Sequence, residues 1–202
     1  FSNANLQGAK LTKSICDADT KWPVDFDYQN CGAYCIGYKA NLNGVDLSGF
    51  DLLGATLSGA DLSDANLDGA NLMGANLVEA NLDGANLEGT NLVYAYLRRS
   101  NLLGANLDGA IFTRALYDSN TKWPVDFDYK NSGAIGPEAN LNGANLEGAD
   151  LSYADLAGVT LKGANLDSAN LEEALYDSDT KWPEDFDYKN SGAIGPEANL
   201  EG

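Results

Sequence analysis

The chain of 202 residues is 44% apolar and holds 22 Gly, and it sets 30 Asp and Glu against 12 Lys and Arg with no His, for a formal charge of −18. That apolar share excludes compositional disorder, and the acid excess excludes direct nucleic-acid binding, which needs basic stripes to release phosphate counterions. Without His the commonest general base and a preferred zinc ligand are both missing, so neither an enzyme nor a cofactor is expected.

No apolar run approaches the roughly 20 residues that span a bilayer, and no secretory-type apolar segment opens the chain. A soluble protein away from the membrane is expected. The first residue is Phe1 rather than Met, which leaves a removed leader or a trimmed chain open, and with it the choice between cytoplasm and periplasm or lumen.

In chain order, four five-residue units come first, centred on Phe1, Leu6, Leu11 and Cys16. An interruption of about residues 17–39 follows and contains DTKWPVDFDY. From Ala40 the chain reads ANLNG VDLSG FDLLG ATLSG and continues with a strict period of five, giving 16 consecutive units centred from Leu42 to Tyr117. A second interruption, about residues 118–138, carries NTKWPVDFDY; 8 more units run from Leu141 to Tyr176, and a third interruption, about 177–197, carries DTKWPEDFDY before a last unit at Leu200.

The period constrains the backbone. On an α-helix a five-residue step rotates the Leu by about 140° and spreads it over every face, while a Gly per unit costs about 1 kcal/mol each. A flat strand alternates faces with period two, so an odd repeat sends successive Leu to opposite sides. The chain must turn once per unit, with Leu and the small residue two places before it inward. Gly serves the turn, and Asn or Asp before the Leu bonds local backbone.

These units, with their pattern A-(D/N)-L-x-x, resemble the pentapeptide-repeat family, and the WP-containing interruptions are similar to those of cyanobacterial members. The resemblance implies an all-β fold, a right-handed quadrilateral β-helix solenoid with four repeats per coil. The uninterrupted blocks hold 4, 16 and 8 units, so each interruption leaves from the same edge. The expected organisation is a single solenoid over residues 1–202. Residues 116–143 and 175–202 differ only at Asn120/Asp179, Val125/Glu184 and Asn142/Glu201, which also suggests two joined units, 1–115 and 116–202. The 24-residue step from Tyr117 to Leu141 fits a coil with a bulge as readily as a protruding loop. Phe50, Thr90 and Ser100 depart from the small inward residue, and Thr90 and Ser100 are expected to hydrogen-bond within the core.

Sorting every fourth unit by face places five acids, Asp68, Glu88, Asp108, Glu147 and Asp167, in one column, where like charges about 4.8 Å apart repel. The next face carries Leu53, Met73 and Val93 and then Thr113. An exposed apolar column of this kind, with Tyr94 beside it, marks an interface, unless an insertion or Tyr94 itself covers it. Arg98 and Arg99 beside Glu79 read as a solvated ion-pair cluster. Trp22, Trp123 and Trp182 are expected to pack on the solenoid wall, with aromatic ligand-binding loops as the other reading.

Cys16 occupies a central core position, and the spacing of Cys31 and Cys35 permits a local disulfide. A metal site lacks a third and fourth ligand. Asp25/Asp27, Asp126/Asp128 and Asp185/Asp187 read as solvated loop acids rather than calcium ligands, and Asp118-Ser-Asn and Asp177-Ser-Asp as turn or capping residues. The expected function is a rigid protein-interaction scaffold that meets a protein partner or a second copy of itself. The alternative is a DNA mimic: some members of the family resemble duplex DNA and bind DNA gyrase, and the acidic column and charge of −18 are similar in spirit. Calcium-dependent adhesion is a third and weaker reading.

Overall fold

The computed structural model describes residues 6, 11, 15, 16, 20, 21, 23 and 33–196. Within them one backbone rule repeats. The residue before each Leu forms a parallel bridge to its counterpart 20 residues on, as in Asn41 with Asp61, Asp61 with Asn81 and Asn81 with Asn101. Four five-residue units therefore complete one coil, and each coil is a rung on the one before.

Each unit with a rung on both sides makes the same three bonds. Leu62 N–H donates to Asn81 C=O at 2.7 Å, Asn81 N–H donates to Ala60 C=O at 2.9 Å, and Ala65 N–H closes the turn onto Leu62 C=O at 3.1 Å. The turn places its third residue in the left-handed region, as at Gly44 with φ 65°. A Gly accepts that conformation without cost, which explains its recurrence.

The Asn and Asp before each Leu do two jobs. Asn86 Oδ1 accepts the Glu88 N–H at 3.3 Å within its own turn, and Asn86 Nδ2 donates to Asn66 Oδ1 at 3.1 Å on the rung below. Asn66 donates in turn to Asp46 at 3.2 Å, and Asn106 donates to Asn86 at 3.0 Å. A carboxylate has no N–H to pass downward, so in this ladder Asp46 suits the lower position while Asn66, Asn86 and Asn106 stand above it.

The core is a filled axis. Leu62, Leu67, Leu72 and Leu77 and their counterparts on adjoining coils are fully buried with the inward alanines. Thr90 and Ser100 are buried and bonded, Thr90 Oγ1 to Leu67 C=O and Ser100 Oγ to Leu97 C=O, both at 2.7 Å. Phe50 is half-buried against the same core.

The second interruption returns to the ladder at both ends. Lys122 bridges Asn101, and Ile135 bridges Leu116. Thr121 Oγ1 reaches Leu97 C=O at 2.9 Å, and Arg114 N–H bonds Gly133 C=O at 2.8 Å. It is thus a coil whose residues 123–132 leave the rung as an arm, with a short 3-10 turn at Tyr129–Asn131. The third interruption repeats this, with Lys181 on Thr160, Ile194 on Leu175 and a 3-10 turn at Tyr188–Asn190. At the first, β1 (Ile15–Cys16) pairs in parallel with β2 (Tyr34–Cys35).

The ladder is not continuous through the second arm. Bridges resume with Asn140 on Thr160, so residues 139–196 form a second stack of coils. It touches the side of the first, where Arg114 donates to Asn145 C=O and Arg98 donates to Ser152 C=O at 3.4 Å. Among the described residues no helix is long and apolar enough to cross a membrane.

Candidate interaction surfaces

The apolar column is in register. Gly54 N–H donates to Met73 C=O at 2.8 Å, Gly74 N–H to Val93 C=O at 2.9 Å and Tyr94 N–H to Thr113 C=O at 3.1 Å, so Leu53, Met73, Val93 and Thr113 lie on successive rungs. Their turns are pinned by the residues before them, as Met73 N–H bonds Asn71 Oδ1 at 3.3 Å. Leu53 is 57% exposed and Met73 36%, while Val93 is half-buried.

Tyr94, 47% exposed, is held by Arg114. Arg114 stacks at 5.6 Å from its ring, donates to its hydroxyl at 3.0 Å and reaches Asn145 in the second stack with its other nitrogen. Tyr94 and Arg114 hold φ of 60° and 58°, where the same column has Gly54 and Gly74. A side chain in that region costs on the order of 1–3 kcal/mol, offset here by the contacts that join the two stacks.

The acids divide. Gly69 N–H on Glu88 C=O and Gly89 N–H on Asp108 C=O, both at 2.8 Å, stack Asp68, Glu88 and Asp108, and Gly148 N–H on Asp167 C=O at 2.8 Å stacks Glu147 on Asp167. The single column of five read from the sequence is corrected to three and two, because the second stack starts beside Arg114 rather than on the rung of Asp108. The arginine cluster divides as well. Arg99 pairs with Glu79 at 3.0 Å in the open, whereas Arg98 turns to Ser152.

The arms carry the remaining candidates. Trp123 meets Phe112 and Tyr117 edge-on at centroid distances of 5.5 and 5.4 Å and lies parallel to Tyr129 at 5.8 Å. Trp182 repeats this against Tyr176 at 5.5 Å and Tyr188 at 5.4 Å. The rings fold over the last rung and close the core there, and Nε1 of both tryptophans is buried without a partner. Trp22 lies outside the described residues.

Asp118 and Asp177 are turn residues. Asp177 Oδ1 accepts from the N–H of Gly158, Asp179 and Thr180, each at 2.9 Å, and Asp118 Oδ1 accepts from Arg99 N–H at 3.0 Å and Asn120 N–H at 3.1 Å. The Gly158 N–H above all holds the Asp177 carboxyl below its ordinary value of 3.8. Asp61 and Asp150 are lowered likewise, chiefly by the hydroxyls of Ser63 and Ser152. A carboxyl depressed on folding adds stability above its unfolded pKa and loses it as pH falls through the folded one. Asp177→Asn is therefore expected to lower the denaturant midpoint at pH 6 and to approach the parent once the pH is well below 3.8. An unchanged gap between parent and variant across that range would count against the role.

The local Cys31–Cys35 disulfide is corrected. Cys35 bonds Cys16, with their Cα atoms 4.3 Å apart, and Cys31 lies outside the described residues. Sequence spacing missed this because Cys16 and Cys35 are neighbours only once β1 and β2 pair across rungs. Of the paired acids, Asp128 and Asp187 accept from Asn131 and Asn190 at 2.7 Å, and Asp25 and Asp27 lie outside the described residues. Among the described residues no three His, Cys, Asp or Glu cluster as metal ligands would.

The model of pentapeptide repeats matches residues 40–77, 80–116 and 139–175 in 8 copies. No curated protein sequence matches the chain. Among solved structures, a pentapeptide-repeat protein from Nostoc PCC 7120 is 44% identical, covering 48% of this chain and 79% of its own, with a TM-score of 0.47. HetL from Nostoc sp. strain PCC 7120, a pentapeptide-repeat protein involved in heterocyst differentiation regulation, is 30% identical over 83% of this chain and 74% of its own, with a TM-score of 0.32. Rfr23 from Cyanothece 51142 is 28% identical over 70% of this chain and 87% of its own, with a TM-score of 0.34.

Proposed function

Because the chain belongs to the pentapeptide-repeat family, we propose that it is a non-enzymatic scaffold, a right-handed quadrilateral β-helix that offers a protein surface the apolar column of Leu53, Met73 and Val93. The four-sided form is supported by the 20-residue rung step with one turn per five residues. The interface reading rests on the exposure of Leu53 and Met73 in register on adjacent rungs, since contiguous exposed apolar side chains are uncommon on a surface this acidic.

Met73→Lys combined with Val93→Lys is expected to abolish concentration-dependent sedimentation of the chain, or its capture of a bound protein, without moving the thermal midpoint. An elution volume and captured partner identical to those of the parent would sink the proposal. A second reading, DNA mimicry directed at gyrase, is favoured by the stack of Asp68, Glu88 and Asp108 and weakened by its break before Glu147. Inhibition of gyrase supercoiling beyond that of a charge-matched acidic protein would promote it.

A further inference from the structure

Each arm leaves a gap in the ladder beneath it. One rung lower, Leu87 N–H donates to Asn106 C=O at 2.8 Å, Gly89 N–H to Asp108 C=O at 2.8 Å, and Ala85 C=O accepts from Asn106 N–H at 2.9 Å. On the next rung the matching groups, Leu107 N–H, Gly109 N–H and Ala105 C=O, find no backbone partner among the described residues. The chain that would have met them has left as the arm. Between the arm and the rung lies a cleft of about 550 Å³, lined on one side by residues 103–109 and on the other by Pro124, Val125, Asp126 and Phe127.

The cleft's own groups describe what completes it. Leu107 and Gly109 ask for two backbone carbonyls and Ala105 for an N–H, the offering of an extended strand. Asn66 and Asn86 each take a side-chain N–H from the rung above, but Asn106 Oδ1, the top member, accepts only the Asp108 N–H at 3.1 Å of its own turn. A residue seated over Asn106 therefore brings a side-chain donor. Its neighbours point to the opposite face, toward Phe127 and the top of the core, and are apolar. Asp108 and Asp126 are the charged residues of the lining, which makes the donor cationic.

We propose that the rung of residues 105–109 takes an extended peptide of alternating basic and apolar residues as an added β-strand. Leu103, 47% exposed, and Val125, 93% exposed, give this cleft an apolar mouth. The equivalent cleft under the second arm, about 640 Å³, has Lys162 and Glu184 in their places, with the same free N–H groups at Leu166 and Ser168 among the described residues. The two clefts therefore make the same backbone offer and differ in the side chains they admit. The surface is separate from the Leu53 column, so the two proposals fail independently.

The test uses the full chain and a fluorescein-labelled octapeptide of alternating Val and Lys, read by fluorescence anisotropy. Saturable binding is expected, weakened about tenfold when the backbone nitrogens of the peptide's Lys residues are methylated. Leu103→Lys with Val125→Glu gives the mouth of the first cleft the second's residues, leaves the net charge unchanged and uses side chains already carried at equivalent positions. It is expected to remove the tighter site and leave weaker binding. Absence of saturable binding, equal binding of the N-methylated peptide, or equal binding by the double variant would each overturn the proposal, the last two by reducing the interaction to attraction between a cationic peptide and an acidic protein.

Discussion

Leu72→Ala is expected to lower the free energy of unfolding by about 2–5 kcal/mol, the cost of a cavity in a core that cannot close around it. Leu72 is fully buried between Leu52 and Leu92 on the adjoining rungs, and its N–H donates to Asn91 C=O at 2.8 Å. Backbone bonds hold those rungs at a fixed spacing, so the vacated volume is not refilled, and the loss spreads because each coil depends on its neighbours. Asp83→Ala is the control. Asp83 is exposed, yet its Oδ1 accepts the Gly104 N–H at 2.9 Å where the turn departs from the repeating pattern, so about 1 kcal/mol is expected rather than none. Denaturant midpoints of the two variants measure the difference, and equal losses would contradict the register.

Gly136→Ala is expected to cost about 3 kcal/mol, although Gly136 needs no unusual backbone angle. A Cβ there would stand 2.7 Å from three atoms of the Tyr117 ring. That ring cannot step aside: its hydroxyl donates to Pro137 C=O at 2.6 Å, and Trp123 and Tyr129 hold it edge-on. Burial keeps the phenol protonated well above its ordinary range, so the donor persists at any working pH. Tyr176 meets Gly195 in the same way under the second arm, and at the start of the chain the Cys16–Cys35 disulfide stands where Tyr117 meets Gly136. Thermal midpoints of Gly136→Ala, Tyr117→Leu and the double variant test the contact. The double variant should lose less than the sum of the two, and additive losses would show that ring and glycine do not clash.

The repeating part of the fold was legible because its restraints are local. A Leu every five residues, a residue able to bond its own turn and a Gly where φ is positive each act within one unit, so the pattern of a single unit carries the coil. Thr90 and Ser100 were readable as bonded core residues for the same reason, since a buried hydroxyl must find an acceptor and the solenoid supplies carbonyls at every turn. The register of the apolar column followed by counting, and Leu53, Met73 and Val93 lie on consecutive rungs.

Counting failed where the chain leaves the period. Counting places Glu147 and Asp167 in the column of Asp108 as though the second arm were a neutral spacer, but the arm closes one stack and another begins at its side. The partner of Cys16 is 19 residues away, a separation that becomes adjacency only through the parallel pairing of β1 and β2. Asp83 looked like any outward acid until the turn at Gly104 lost its ladder bond.

The amino-acid sequence by itself thus determined the coil, its inward residues and the faces of an unbroken run, because bonds inside a turn and identical contacts between rungs depend on residue type alone. Only the tertiary structure decided where the stacks end, how the second lies against the first, which cysteines meet and which backbone groups are left open beneath the arms. Where the first stack ends and which of its backbone groups stay open depend on where a segment of ten residues, 123–132, comes to rest. Its position is set by the packing of Trp123, Phe127 and Tyr129 on Phe112 and Tyr117, contacts that no repeat period encodes.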